Sequence, residues 1–212
     1  MAVTDRQLLE SIQYTVIEPA DLGATWPSGL WTLAEILAYA NQRQYRFMKD
    51  TGLIVTSASI TANTGAGNLF DLPTTWISTY RAAWKQSGAY RTLHRSDTWE
   101  ADNGIPTWEV TTGTPKLYLD SDTPTLKIQV APAPDTNGTI EILYVALTTA
   151  LTQTPAVNLT IPDEFAPYMK YGILADMLSK IGRGQDLERA AYCEERWAEG
   201  IALAQLLVGS RT

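Results

Sequence analysis

The sequence has very few of the residues on which most enzymes and metal proteins depend. Cys193 is its one cysteine and His94 its one histidine. No intrachain disulfide can form, and a metal site built on two histidines is excluded. A Ser/His/Asp arrangement would have to use His94, which follows a strand-like segment and is interpreted as a surface or hydrogen-bonding residue. Cys193 lies on the apolar side of a predicted helix and is interpreted as buried and inert.

Long apolar runs and an excess of basic charge are missing as well. No run of about 18 apolar residues occurs, and Asp5 and Glu10 stand where a signal peptide would be basic and then apolar. We therefore expect a soluble protein that is not exported by that route. The net charge of -7 argues against a surface that grips DNA, which needs clustered Lys and Arg. An acidic protein can still surround DNA without gripping it.

Two ligand-binding motifs begin in the sequence but are not completed. Asp120-Ser121-Asp122 starts like a calcium loop, yet Thr125 replaces the glycine of the sixth position and Ala131 the glutamate of the twelfth. Gly65-Ala66-Gly67 lacks the third glycine of a dinucleotide site and the lysine of a phosphate loop. These segments predict a turn and a loop tip, respectively.

Acidic and aromatic residues in the middle of the chain leave two functional alternatives open. Asp97, Glu100 and Asp102 lie beside Trp99 and would suit a hydrolase with paired carboxylates, although a short helical turn with solvated acids is favoured. Four tryptophans fall in the same region: Trp76, Trp84, Trp99 and Trp108. If exposed, they would make a carbohydrate- or receptor-binding module, but a role in the core is favoured. No catalytic, metal-binding or cofactor-binding residue is predicted.

Capping boxes mark two helix starts near the N-terminus. Thr4 with Gln7 predicts a short helix through about Tyr14, and Thr32 with Glu35 predicts a second helix that ends at Gly52. The second helix is expected to bury one face: Leu33, Ile36, Leu37, Ala40, Phe47 and Met48. Its polar residues are expected to face outwards: Gln42, Arg43, Arg46 and Lys49. Between the two helices, a loop is predicted at Pro19, Gly23 and Pro27.

The C-terminal region from Pro162 to Thr212 predicts two amphipathic helices joined by Gly182-Arg183-Gly184. The first helix has an apolar stripe at every fourth residue: Phe165, Met169, Ile173, Met177 and Ile181. The second has a three-four spacing: Ala190, Cys193, Trp197, Ile201, Ala204 and Val208. Gly182 and Gly184 are expected to end the first helix in the left-handed conformation, and Asp186 to begin the second.

The middle of the chain has the alternation and turn residues of β-strands. Five strand-like segments follow one another: Leu53 to Ala62, Ile77 to Trp84, Tyr90 to Leu93, Thr125 to Val130 and Ile140 to Tyr144. Ser87-Gly88 and Asp135 to Gly138 supply turns. The predicted fold is therefore α+β, a helical bundle with an inserted antiparallel sheet or sandwich. The predicted domains are the N-terminal helices 1–52, the β subdomain 53–147, a linker 148–161 and the hairpin with its tail 162–212.

The order of short motifs along the chain resembles the head-to-tail adaptor, or connector, proteins of tailed bacteriophages. The resemblance is carried by Trp31-Thr32 with Glu35, Leu37, Tyr39, Asn41 and Phe47, then Leu72-Pro73, Gly113-Thr114-Pro115 with Tyr118, Ala131-Pro132-Ala133-Pro134, Tyr144, Ile161-Pro162-Asp163 with Phe165, Tyr171-Gly172, and the helix from Ala190 to Trp197. It covers most of the chain.

The resemblance implies a structural protein, not an enzyme, and one without a cofactor. It implies a ring, commonly twelve-fold, below the portal protein in the virion neck, assembled in the bacterial host cytoplasm. The ring would extend the DNA channel to the next tail component, a stopper, nozzle or tail tube, and no membrane is involved. Genomic DNA would pass through without specific binding. The C-terminal segment would dock to the portal: Leu206, Leu207, Val208, Gly209, Ser210, Arg211 and Thr212.

Overall fold

The computed structural model describes residues 3–16, 30–105, 107–120, 123–147, 149–152 and 156–209. These residues form two compact units. The helical unit is Met1–Leu53 with Thr148–Thr212, and the sheet unit is Ile54–Leu147. Some predicted features lie outside the described residues: the loop at Pro19, Gly23 and Pro27, the residues Ser121 and Asp122, and the tail residues Ser210, Arg211 and Thr212.

Five α-helices lie within the described residues: α1, Asp5–Val16; α2, Leu33–Thr51; α3, Thr98–Gly104; α4, Ala166–Ser179; and α5, Leu187–Gly209. A 3₁₀ turn, Asp163–Phe165, leads into α4. Both predicted capping boxes are confirmed, because Thr4 and Gln7 bond each other's backbone amides, as do Thr32 and Glu35. Gly52 ends α2 in the left-handed conformation, also as predicted.

The core of the helical unit is built where α2, α4 and α5 meet. The ring of Phe47 lies 5.3 Å from that of Phe165 and 6.0 Å from that of Trp197, measured between centroids. Close packing of α4 on α5 depends on a glycine, since a Cβ at Gly200 would lie 2.4 Å from Cγ of Tyr168. The predicted stripes are buried in most positions, while Leu33, Leu37, Ile201 and Val208 are half-buried.

The prediction that Arg43 faces outwards is wrong, since it is only 3% exposed. Its guanidinium donates to Asp176 on α4 and to Glu194 on α5, with Nη2 2.6 Å and 2.7 Å from the carboxylate oxygens. The two carboxylates compensate the buried charge. Burial by itself would lower the pKa of Arg43, but the hydrogen bonds to Asp176 and then Glu194 outweigh it and raise the pKa.

The expectation that Ile181 continues the buried stripe of α4 is also wrong. The helix ends at Ser179, and Lys180 is extended, so the helical period no longer applies at Ile181. Ile181 is consequently 88% exposed. The left-handed ending predicted from Gly182 and Gly184 is therefore absent at the end of α4. Asp186 does begin α5, because its carboxylate accepts the backbone amide of Arg189 at 3.0 Å.

Polar side chains tie the segment that returns from the sheet unit to the helices. The side-chain amide of Asn41 donates to the carbonyl of Leu151, whose own amide donates back to Asn41 at 2.8 Å. The buried carboxylate of Asp5 accepts the amides of Thr152 and Val157, both at 3.0 Å. These bonds satisfy backbone groups of a segment that has little regular structure of its own.

Nine strands lie in the described part of the sheet unit: β1, Val55–Ala62; β2, Leu69–Asp71; β3, Trp76–Gln86; β4, Ala89–Arg95; β5, Thr112–Gly113; β6, Leu117–Leu119; β7, Lys127–Ala131; β8, Ala133–Pro134; and β9, Gly138–Ala146. Seven of them form one sheet in the order β1-β9-β3-β4-β6-β7-β2, and β5 pairs with β8. Contacts between the edge strands β1 and β2 make the large sheet nearly closed.

The sheet is mixed, which corrects the prediction of an antiparallel sheet. β4 and β6 pair in parallel, with His94 opposite Leu117 and Arg95 opposite Tyr118. Parallel neighbours need a crossover connection, and here that connection contains α3. The other pairs of the large sheet are antiparallel, including the predicted β3–β4 hairpin at Ser87-Gly88. The α+β class is therefore confirmed.

Alternation along the strands correctly indicates which side chains are buried, but it does not indicate the pairing. Ile128, Val130, Ile140 and Ile142 are all buried in one apolar cluster around Trp84. The turn at Asp135 to Gly138 is predicted to join two strands directly, and these correspond to β7 and β9. The two strands are not neighbours, because β7 pairs with β6 and β2, whereas β9 lies between β1 and β3. The turn therefore connects strands from different parts of the sheet.

Candidate functional site

The residues considered for catalysis have local structural roles. The carboxylate of Asp97 caps α3 by accepting the amide of Glu100 at 2.7 Å, and Asp102 accepts the indole N–H of Trp108 at 2.7 Å. Glu100 accepts the hydroxyl of Ser96. His94 is exposed on β4. A short helix with local acids is thus confirmed at this place.

The tryptophans of the sheet unit belong largely to its interior. Trp84 and Trp108 are buried, and Trp76 packs against the main apolar cluster. Trp99 is the exception at 76% exposure. A surface that stacks on sugars needs several aromatic faces turned to solvent, and two of the four rings considered are enclosed by protein. Filling the core is therefore the main role of these side chains.

Cys193 lies between α4 and α5 and is 5% exposed. Burial, and then the negative charge of Asp186, raise the pKa of its thiol. The predicted buried thiol is confirmed. Among the described residues, no group of three or more His, Cys, Asp and Glu side chains is placed to hold a metal ion. None of the described helices has the length and apolar character that crossing a membrane requires.

The C-terminal end of α5 carries exposed apolar side chains. Ala204 is fully buried, and the side-chain amide of Gln205 donates to the carbonyl of Asp50 at 2.9 Å, near the end of α2. Beyond Gln205 the helix continues to Gly209. In this last turn Leu206 is 70% exposed and Leu207 is about half exposed. The structure thus places Leu206, Leu207, Val208 and Gly209 of the predicted docking segment in the last helical turn.

Leu203 belongs to the same surface, although the predicted segment did not include it. It lies three residues before Leu206 and four before Leu207, a spacing that brings side chains together on one side of a helix. Like them, it is exposed. We call Leu203, Leu206 and Leu207 the apolar helix end. An exposed cluster of large apolar side chains is typical of a surface that another protein covers.

These features define an acidic α+β protein with an apolar helix end, in which the acids around α3 form local hydrogen bonds. The profile of one family, SU10 adaptor protein, matches residues 6–211. The chain belongs to this family, and the predicted resemblance to phage head-to-tail adaptors is confirmed. Membership indicates a structural protein of the virion neck that associates with other phage head and tail components. A search of curated proteins found no match.

Proposed function

We propose that the protein is the head-to-tail adaptor subunit that forms a ring below the portal, its helices forming the bundle of that ring. The ring extends the DNA channel and joins it to the next tail component, a stopper, nozzle or tail tube. Twelve copies are proposed, assembled in the host cytoplasm. The family match over residues 6–211 supports this role because it spans the helical and sheet units alike.

The apolar helix end is the observation that carries the proposal. A monomer gains nothing by exposing Leu203, Leu206 and Leu207 together. Full burial of an exposed leucine contributes about 1.5–3 kcal/mol, and these three, at 45%, 70% and 51% exposure, each forfeit roughly half of that. The bond from Gln205 to Asp50 fixes the direction in which this end of α5 leaves the helical unit. A preformed helix end loses less conformational entropy on docking than a flexible tail would. We assign the segment Leu206 to Thr212 to the portal.

The charge of the subunit supports a channel through which DNA slides. The net charge of -7 on each copy repels phosphate, and a protein that grips DNA instead presents clustered Lys and Arg. DNA is therefore expected to pass without specific binding. Titration of the portal-bound ring with fluorescently labelled duplex DNA at about 0.1 M salt should show no saturable binding, and a tight complex would contradict the channel assignment.

Reconstitution with the cognate portal tests the proposed function directly. The purified protein is mixed with purified portal rings, and the product is imaged by electron microscopy. A ring of adaptor density on one face of the portal, with a continuous central channel, is expected. Portals that remain bare at high protein concentration would refute the proposal.

Two variants with the same chemical change test the docking segment. Leu206→Asp places a charge in the apolar helix end, whereas Ile181→Asp places one on another exposed apolar residue, in the turn before α5. Leu206→Asp should abolish portal binding and leave the circular dichroism spectrum unchanged. Ile181→Asp should bind normally. Deletion of residues 206–212 should act like Leu206→Asp, and equal binding by all these proteins would remove the assignment.

A further inference from the structure

The sheet unit has a second exposed surface, formed by the side of β1, β9, β3 and β4 that faces away from the apolar cluster. Strand neighbours bring Ser57 beside Leu143, Leu143 beside Arg81, and Glu141 beside Ala83. The residues between them point the other way and are buried, among them Ala82, Trp84 and Ile142. We call this surface the outer sheet face: Ser57, Arg81, Ala83, Tyr90, Glu141 and Leu143.

The outer sheet face contains a shallow cleft with an apolar centre. The cleft has a volume of about 190 Å³, and its lining includes Ala83, which has a small side chain and is buried. Two larger side chains also line the cleft: Tyr90 is 61% exposed, and Leu143 is partly exposed. Large side chains around a small one leave a depression that side chains of another protein can fill.

The charge of this face is opposite to that of the chain as a whole. Lys85 lies 3.7 Å from Glu141 and 5.0 Å from the centre of the Tyr90 ring, so the one acid of the face is already compensated. Arg81 donates to the hydroxyl of Thr92, a neutral group, and forms no ion pair with any described residue. The outer sheet face therefore presents an uncompensated positive charge beside exposed apolar groups.

The outward side of α5 is complementary in charge and carries small apolar side chains. Glu195 is exposed there and forms no ion pair among the described residues, whereas Glu199 is paired with Arg196 at 2.8 Å. Ala191, Ala198 and Ala202 lie three or four residues from Glu195 or from one another and are exposed. Every copy of the chain thus carries an unpaired cation on one surface and an unpaired carboxylate on the other.

We propose that the outer sheet face of one subunit binds the outward side of α5 of a neighbouring copy, with Arg81 pairing with Glu195. Tyr90 and Leu143 pack against the alanines of that helix. This contact rests on the proposed ring, because two different surfaces repeated around a closed rotation generate a ring. It assigns the subunit interface, which is separate from the portal-docking segment.

Charge reversal on each surface tests the contact. Arg81→Glu and Glu195→Arg are each expected to raise the adaptor concentration needed for half-maximal ring formation on the portal about tenfold, because like charges then face each other. Lys116→Glu is the matched control, since it makes the same charge change at an exposed residue of the sheet unit outside this face. Ring formation is measured by mass photometry of portal complexes over a range of adaptor concentrations, after circular dichroism has verified folding.

Mixing the two variants distinguishes a contact between subunits from any other effect. In an equimolar mixture, the carboxylate introduced by Arg81→Glu in one subunit can face the guanidinium introduced by Glu195→Arg in its neighbour. At the alternate interfaces, the unmodified Arg81 and Glu195 face each other. Ring formation should therefore return to within about threefold of the unmodified protein, about 0.65 kcal/mol.

Two results would overturn the contact: normal rings from each single variant, or no recovery on mixing. Failure of the unmodified protein to bind the portal would instead refute the proposed function.

Discussion

Arg43 and Asp176 form a bidentate pair between α2 and α4, with Nη2 2.6 Å from Oδ1 and Nε 2.7 Å from Oδ2. The same guanidinium reaches Glu194 and lies 5.3 Å from the centre of the Trp197 ring, both on α5. One side chain therefore holds three helices together. Gly172 makes room for it, because a Cβ there would lie 3.1 Å from Cδ of Arg43 and 2.8 Å from Trp197.

Replacement of Arg43 should strongly destabilise the helical unit. Arg43→Met leaves Asp176 and Glu194 without their cation, and loss of one partner of a buried pair costs about 3–5 kcal/mol. The carboxylates are partly exposed, so the lower end of that range is expected. Arg46→Met, on the exposed side of α2, should change stability by less than about 0.5 kcal/mol. Urea unfolding followed by circular dichroism measures both, and equal stability of the two variants would contradict the role of Arg43.

Gly200→Ala should destabilise the protein even though alanine favours helices. The helix propensity gain is at most about 1 kcal/mol, whereas the new Cβ would lie 2.4 Å from Cγ of Tyr168 and force α4 and α5 apart. Since overpacking costs about 1–3 kcal/mol, a net loss of up to about 2 kcal/mol is expected. Gly209→Ala, where a Cβ meets nothing within 4 Å, is the control in the same helix. Thermal unfolding compares them, and a higher melting temperature for Gly200→Ala would show that the helices adjust freely.

The start of α2 should lose stability in acid. A hydrogen bond from Lys180, 2.6 Å from Glu35, and then the amide of Thr32 lower the pKa of Glu35 to about 2. Because the folded pKa is below the unfolded one, this stabilisation is complete above about pH 4.5 and is lost as the pH falls towards 2.

Comparison with Glu35→Gln isolates this contribution. The difference in melting temperature between the unmodified protein and Glu35→Gln should be constant from pH 7 to about 5 and shrink below about pH 4.5. Lys180→Met should reduce the same dependence, because it removes the main cause of the lowered pKa. A difference that stays constant down to about pH 2.5 would show that the ion pair does not contribute.

Cys193 should react with thiol reagents only after unfolding. Its sulfur is buried between α4 and α5, and its raised pKa leaves little thiolate at neutral pH. With a chromogenic disulfide at about pH 7.5, the folded protein should react far more slowly than a small thiol, and one equivalent should react in denaturant because the chain has one cysteine. Rapid reaction of the folded protein would show that α4 and α5 open readily.

Local signals in the sequence are sufficient to predict where α1 and α2 start. The Thr32 capping box and the Gly52 ending depend on residues within one turn of each other, so they are visible without any tertiary contact. The burial of Arg43 depends on Asp176 and Glu194, whose positions are more than a hundred residues away. A single sequence offers no means of pairing such distant charges. The helical period places Arg43 on the buried face of α2, and the prediction placed it towards solvent because it is charged.

The same limit applies to the sheet and to the proposed interfaces. Alternation predicts which strand residues are buried, but the outer sheet face exists only because β9 lies between β1 and β3, which the sequence does not indicate. The apolar end of α5 is visible from its leucines. That end is predicted as a docking segment, and its role stays a prediction until portal binding is measured.

The two units differ in how their residues are distributed along the chain. The sheet unit is one continuous stretch, Ile54–Leu147, whereas the helical unit needs Arg43 from before it and Glu194 and Trp197 from after it. During synthesis from the N-terminus, the sheet unit is therefore complete and able to fold while α2 still lacks its partners. Since α4 and α5 are synthesised last, they can cover the apolar face of α2 only when the chain is nearly complete, so the helical unit is the last part to acquire its core.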